Sequence, residues 1–262
     1  MKRLPFGFAL VVIAVCLPGR PCGADESDAA VDAVLAKWEA ASQKCRSLDA
    51  RLTVFRYTPF TGDRPKVAHG RFYYEAPHLG RYEIWKGDRA ATNDWSNLSE
   101  AVIWNGKETL RIEGETRACR RWSTAQLEQL QAHWSDAGHG WSGWLATIFR
   151  QLESPAQFLP LVVDLRAAEV RERFQWTLQV QNAERVLLKA VPKRPTDQAV
   201  FAEIDVILDT KTYLTIAIRL TSLHGKDSTV YAFGPPKINE RPSDRDRLLE
   251  PELSGLRVER MQ

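Results

Sequence analysis

Two hydrophobic periods divide this chain. Val31, Val34, Leu35, Trp38, Cys45 and Leu48 recur at three-, four- and seven-residue spacing through an alanine-rich segment, which predicts an amphipathic helix over about 28–44. Ser27 is placed to cap it, and Asp28 falls in the first turn, where the helix dipole favours negative charge. From Leu48 the period becomes 2. Leu52, Val54 and Arg56 alternate with Thr53, Phe55 and Tyr57, ahead of the turn-forming Thr61-Gly62-Asp63-Arg64-Pro65. Strands are predicted over 67–75 and 79–86, separated by Ala76-Pro77-His78. Ala101-Val102-Ile103-Trp104 then runs into Asn105-Gly106, a strong hairpin signal. Strands over 109–112 and 116–122 complete the first half.

Residues 123–161 break the pattern and read as helical in pieces (125–134, 144–152 and 156–161), joined through Gly138, Gly140 and Gly143. The strand period then returns. Phe174, Trp176, Leu178 and Val180 alternate with polar residues, as do Ala202, Ile204, Val206 and Leu208, and then Leu214, Ile216, Ile218 and Leu220. A last strand spans 228–234 before Pro235-Pro236. One apolar and one wet face is the pattern of an antiparallel sheet buried on a single side. About eleven strands without a glycine-rich crossover make a mainly β (α+β) domain. A sheet of that width must curl or close, with the helices on its concave side. Residues 241–262 are charged and proline-punctuated, and are expected to form a loosely ordered tail.

Residues 1–24 read as a signal peptide. Lys2 and Arg3 precede a short apolar run, and Cys22-Gly23-Ala24 offers the small residues of a cleavage site. The run is too short for a membrane span, and Val15 and Pro21 suit neither Cys16 nor Cys22 to lipidation. The expected product is an exported, periplasmic or otherwise extracytoplasmic monomer, with its domain over 25–240 and no transmembrane segment. Of the 36 basic residues three lie in the leader, leaving 33 against 33 acids, so the case for a nucleic-acid partner falls away. Cys45 and Cys119 remain, either as one disulfide or as two buried thiols.

Chemistry is sparse. Gly138-His139-Gly140-Trp141-Ser142-Gly143 resembles a nucleophile elbow, but its closing glycine comes one place early and no buried strand precedes it. A secreted hydrolase built on His139 and Ser142 is therefore the weakest reading. The five histidines form no helical pair and predict no metal site, and nothing calls for a cofactor. All nine tryptophans lie after the leader, and either fill a core or line an apolar pocket.

The order of elements resembles the LolA/LolB-like periplasmic lipoprotein-carrier superfamily over residues 31–239, and looks closest to LolA-like secreted proteins of planctomycete-type bacteria. The segments that carry the resemblance are Pro77, Leu79, Arg81 and Tyr82, the Asn105-Gly106-Lys107 hairpin, and the strand from Asp227 to Phe233. The resemblance implies a strongly curved, unclosed antiparallel β-barrel whose apolar concavity is capped by helices and binds a lipid or lipoprotein acyl chains without catalysis. One departure stands out: the carriers have a basic residue, important for handing on cargo, where this chain has Ala76. The rival reading is an envelope protein-interaction or stress-sensing module that carries no ligand. Strand parity nominates Phe72, Tyr74, Trp104, Trp176, Leu178, Ile204, Val206, Ile216 and Ile218 as ligand-facing, with Trp141 and Trp144 on the lid.

Overall fold

The computed structural model describes residues 24–61, 64–77, 79–86, 95–126, 161–163 and 165–261. It opens with helix α1 (Ala24–Lys44), which begins four residues before the span that the hydrophobic period predicts. Strands β1 (Ser47–Tyr57), β2 (Lys66–Glu75), β3 (Leu79–Trp85), β4 (Leu98–Asn105), β5 (Glu108–Glu113) and β6 (Ala118–Ser123) follow. After the middle segment come helix α2 (Ala167–Arg173), β7 (Phe174–Gln181), β8 (Arg185–Pro192) and the one-turn α3 (Pro195–Gln198). The chain ends with β9 (Glu203–Asp209), β10 (Thr215–Thr221), β11 (Ser228–Phe233), β12 (Lys237–Ile238), α4 (Arg245–Leu249) and β13 (Arg257–Arg260).

All these strands belong to one curved sheet, in the order β13-β6-β5-β4-β3-β2-β1-β11-β10-β9-β8-β7, with β12 beside β1. Two antiparallel meanders, β1 to β6 and β7 to β11, meet where Leu52 to Tyr57 pair with Phe233 to Ser228. Among the described residues β7 and β13 form the two edges, so the sheet is unclosed, as expected. Short local signals set the connections. Asn105 Oδ1 accepts from the backbone N–H groups of Lys107 and Glu108, and Gly106 takes the positive φ of 82° that the turn needs.

One face of the sheet carries the main core. Leu48, Ala50, Leu52 and Val54 of β1 share it with Val31, Val34, Leu35 and Trp38 of α1, as periods of 2 and 3.6 require when the two elements pack together. Helix α2 sits beside α1 and β7, and Arg171 holds Asp28 and Asp32 across the helix pair.

The opposite face overturns one expectation. Residues 241–261 are no loose tail: they cross the outer side of β2 to β6 as a strap. Arg71 binds both Asp49 (2.8 Å) and Asp244 (2.6 Å), and Arg245 binds Glu75 (2.5 Å). Leu248 and Leu249 pack on Tyr73 and Leu79, while Leu253 and Leu256 join a second core with Trp85, Leu98, Ala101, Ile103, Leu110, Ile112 and Cys119. The chain then adds β13 parallel to β6. This covering explains why β3 is buried at six of its seven positions and shows no alternation.

The Cys45–Cys119 disulfide, one of the two alternatives, is not formed. Both thiols are free, one in each core, and burial pushes both up to about 11. Residues 1–23, and with them the signal-peptide reading, lie outside the described residues. So does most of the 123–161 insertion, including His139, Trp141, Ser142 and Trp144.

Candidate functional site

The helix-covered face is where the candidate ligand residues converge. Phe72, Tyr74, Trp104, Trp176, Ile204, Val206 and Ile218 are all buried in the core that α1 closes, and Leu178 lies half-buried at its edge. They come from β2, β4, β7, β9 and β10, so the face spans both meanders. Ile216 does not belong. The β9–β10 pairing shifts register between Thr215 and Ala217, and the bulge turns Ile216 to the other side, where it is 36 % exposed. Thr215 is buried instead, and its hydroxyl donates to the Leu161 carbonyl at 2.9 Å.

Aromatic rings dominate the face. Trp38 of α1 meets Trp176 edge-on at 5.9 Å, and Trp176 meets Phe174 at 5.9 Å. On the other meander Phe72 lies 6.5 Å from Trp104 and 6.2 Å from Phe233. Trp104 can lie flat across β3 only because its cross-strand partner is Gly80: a Cβ there would stand 2.3 Å from the indole.

The polar atoms on this face are few. The Trp176 indole N–H donates to the Val170 carbonyl at 3.0 Å, which ties α2 to β7. Tyr82 and Tyr231 share a hydrogen bond in full burial, and desolvation raises both phenols well above their ordinary value. The Leu165 N–H donates to Ser42 Oγ at 2.6 Å, which anchors the end of the middle segment to α1. The Trp38 Nε1–H and the Thr109 hydroxyl are buried and have no hydrogen-bond partner among the described residues. Buried donors are nearly always paired, so the Trp38 N–H, beside the aromatic cluster, marks a position where an acceptor would be stabilised.

Parity did not nominate Tyr82, Tyr231 or Phe174, all of which are buried here. Tyr82 sits in the β3 run that lacks alternation, which hid its side. Phe174 was legible, since it leads the alternating set that includes Trp176. Among the described residues no group of three His, Cys, Asp or Glu is placed to hold a metal ion, and no helix is long and apolar enough to cross a membrane.

No protein-family model matches this sequence, and no curated protein matches it. Solved structures do. A conserved protein from Thermus thermophilus shares 10 % identity at a TM-score of 0.49, covering 88 % of this chain and 99 % of its own. The Mycobacterium tuberculosis lipoprotein LppX shares 10 % identity at 0.44, covering 83 % of this chain and 99 % of its own. A LolA superfamily protein from Nitrosomonas europaea shares 9 % identity at 0.35, covering 81 % of this chain and 94 % of its own.

Proposed function

We propose that this chain is an exported, non-catalytic binding or carrier protein that holds a lipid, or the acyl chains of a lipoprotein, against the helix-covered face of its sheet. The observation that carries the reading is the Trp38 indole N–H, which has no hydrogen-bond partner among the described residues and lies beside Trp176 and the aliphatic side chains of α1. Desolvating a donor without a partner costs about 1–3 kcal/mol, so an acceptor brought in by a ligand would be stabilised there. An acyl ester or carboxyl oxygen accepts that bond, and each buried methylene of its chain adds about 0.8 kcal/mol. Export rests on the leader pattern of Lys2, Arg3 and the apolar run after them.

The test is titration of the purified protein with a fluorescent fatty acid. Wild type should bind saturably, and Trp38→Phe, which keeps a ring and loses the donor, should bind at least about fivefold more weakly, the equivalent of one hydrogen bond. Absence of saturable binding to the folded wild type would refute the carrier reading.

One observation favours the interaction module instead. Phe72, Trp104, Val206 and Ile218 are already 0 % exposed with only protein around them. On that reading the face is filled by its own side chains, and the titration shows no binding.

A further inference from the structure

The other face of the sheet holds a feature that neither the alternation nor the acyl reading explains. Between the outer side of β1 to β3 and the strap lies a groove of about 900 Å³. Its lining carries five cations (Arg51, Arg71, Arg81, Lys237 and Arg247) against four acids (Asp49, Glu83, Asp244 and Glu252), a formal excess of one positive charge. Its acids are engaged: Asp49 and Asp244 both grip Arg71, Glu83 is buried against Arg81 at 2.5 Å, and Glu252 accepts from Ser254 Oγ at 3.0 Å. Three cations on the same lining, Arg51, Lys237 and Arg247, are exposed, and their side chains have no ion-pair partner among the described residues.

These three come from separate elements. Arg51 stands on β1 directly across from Arg71, Lys237 lies opposite Asp49 on β12, and Arg247 rides on α4. One inter-strand step and two residues along the strand separate Lys237 from Arg51, about 8 Å between their backbones. That spread suits a row of carboxylates at alternate positions of an extended chain better than one compact, multiply charged group. The apolar part of the lining fits the same ligand: Trp95, Pro235 and Pro251 line the groove with the cations, and Arg81 stacks on Trp95 at 5.7 Å.

We propose that this groove binds an acidic polypeptide segment of a partner protein, with Arg51, Lys237 and Arg247 meeting its carboxylates and Trp95, Pro235 and Pro251 meeting the residues between. The site lies on the face opposite Trp38 and stands whether or not that face holds lipid. The ion pairs that hold the strap in place tie Asp49, Asp244 and Glu83 to Arg71 and Arg81, and Arg247 adds a longer-range attraction to Asp244, so the groove keeps a net formal charge of one positive unit with three of its cations exposed.

Fluorescence anisotropy of a labelled hexaglutamate peptide tests this with the full chain. The peptide should bind saturably, hexalysine should not, and binding should weaken steeply between low and high salt as screening shortens. The triple variant R51Q/K237Q/R247Q changes only exposed side chains, and should lose about tenfold in affinity with an unchanged circular dichroism spectrum. R185Q/R257Q, which removes two cations away from the groove, should bind as wild type does. Equal binding by the triple variant and wild type, or no saturable binding of hexaglutamate, would overturn the proposal. Full displacement of the peptide by inorganic phosphate or by anionic vesicles would overturn it as well, by reassigning the site to a single compact anion or to a membrane surface.

Discussion

Trp38 and Trp176 touch each other, yet replacing each by phenylalanine should have different consequences. Both substitutions remove the same ring and leave a cavity of roughly 40 Å³, costing about 1 kcal/mol at about 24 cal/mol per Å³. The Trp176 N–H donates to the Val170 carbonyl, which also accepts from the Phe174 N–H. Losing the indole bond therefore leaves that carbonyl partly satisfied and costs about 1 kcal/mol more. The Trp38 N–H is buried without a partner among the described residues, so removing it should recover about 1–3 kcal/mol of desolvation penalty. In lipid-free protein, Trp38→Phe should be neutral or stabilising, and Trp176→Phe should cost about 2 kcal/mol, a gap of about 2–4 kcal/mol. Urea unfolding midpoints at constant slope measure the gap. Equal destabilisation by the two variants would show that the Trp38 donor is satisfied in solution, and would remove the argument for a ligand acceptor beside it.

Gly80→Ala should cost upwards of about 2 kcal/mol, because the added methyl meets both the Trp104 indole and the Tyr73 carbonyl within 2.6 Å; a smaller cost in a Trp104→Leu background would confirm the contact. Ile216→Thr should change stability by less than about 0.5 kcal/mol, whereas Ile218→Ala should cost about 2–5, and reversed magnitudes would remove the bulge from the account. Arg245 and Arg71 hold the Glu75 and Asp244 carboxyls below the usual carboxylate range. Their stabilising contribution is therefore present above the unfolded value of about 4 and is lost as pH falls through the lowered native values. Glu75→Gln should flatten that acid limb of the stability curve, and an unchanged limb would show that the strap is not held by this pair. Cys45 and Cys119 should resist thiol reagents until the protein is denatured, and migration should be the same with and without reductant.

The sheet was readable because most of its strands bury one side only. Trp176, Ile204 and Val206 alternate with polar partners, and that period places them on the core side without knowledge of the neighbours. Where a second layer covers the sheet the signal disappears. Tyr82 and Ile84 of β3 are buried in the helix-covered core, while the other side of β3 is covered by a strap that lies 160 or more residues away in sequence, so no local window could reveal it. The strap reads as a tail in sequence because its charges find their partners far away: Asp244 and Arg245 are matched to Arg71 and Glu75 on β2, pairings that exist only after folding. Ile216 failed for a third reason, since a single-residue bulge reverses side-chain parity and leaves the composition of the strand unchanged.

Native mass spectrometry of the protein refolded in the presence of a diacyl phospholipid tests the central claim most directly. A bound lipid at one per chain is predicted for wild type, retained in Ile216→Thr and sharply reduced in Trp38→Phe. A fully folded wild type that stays free of lipid under the same conditions would contradict the account and leave the helix-covered face as a core filled by its own side chains.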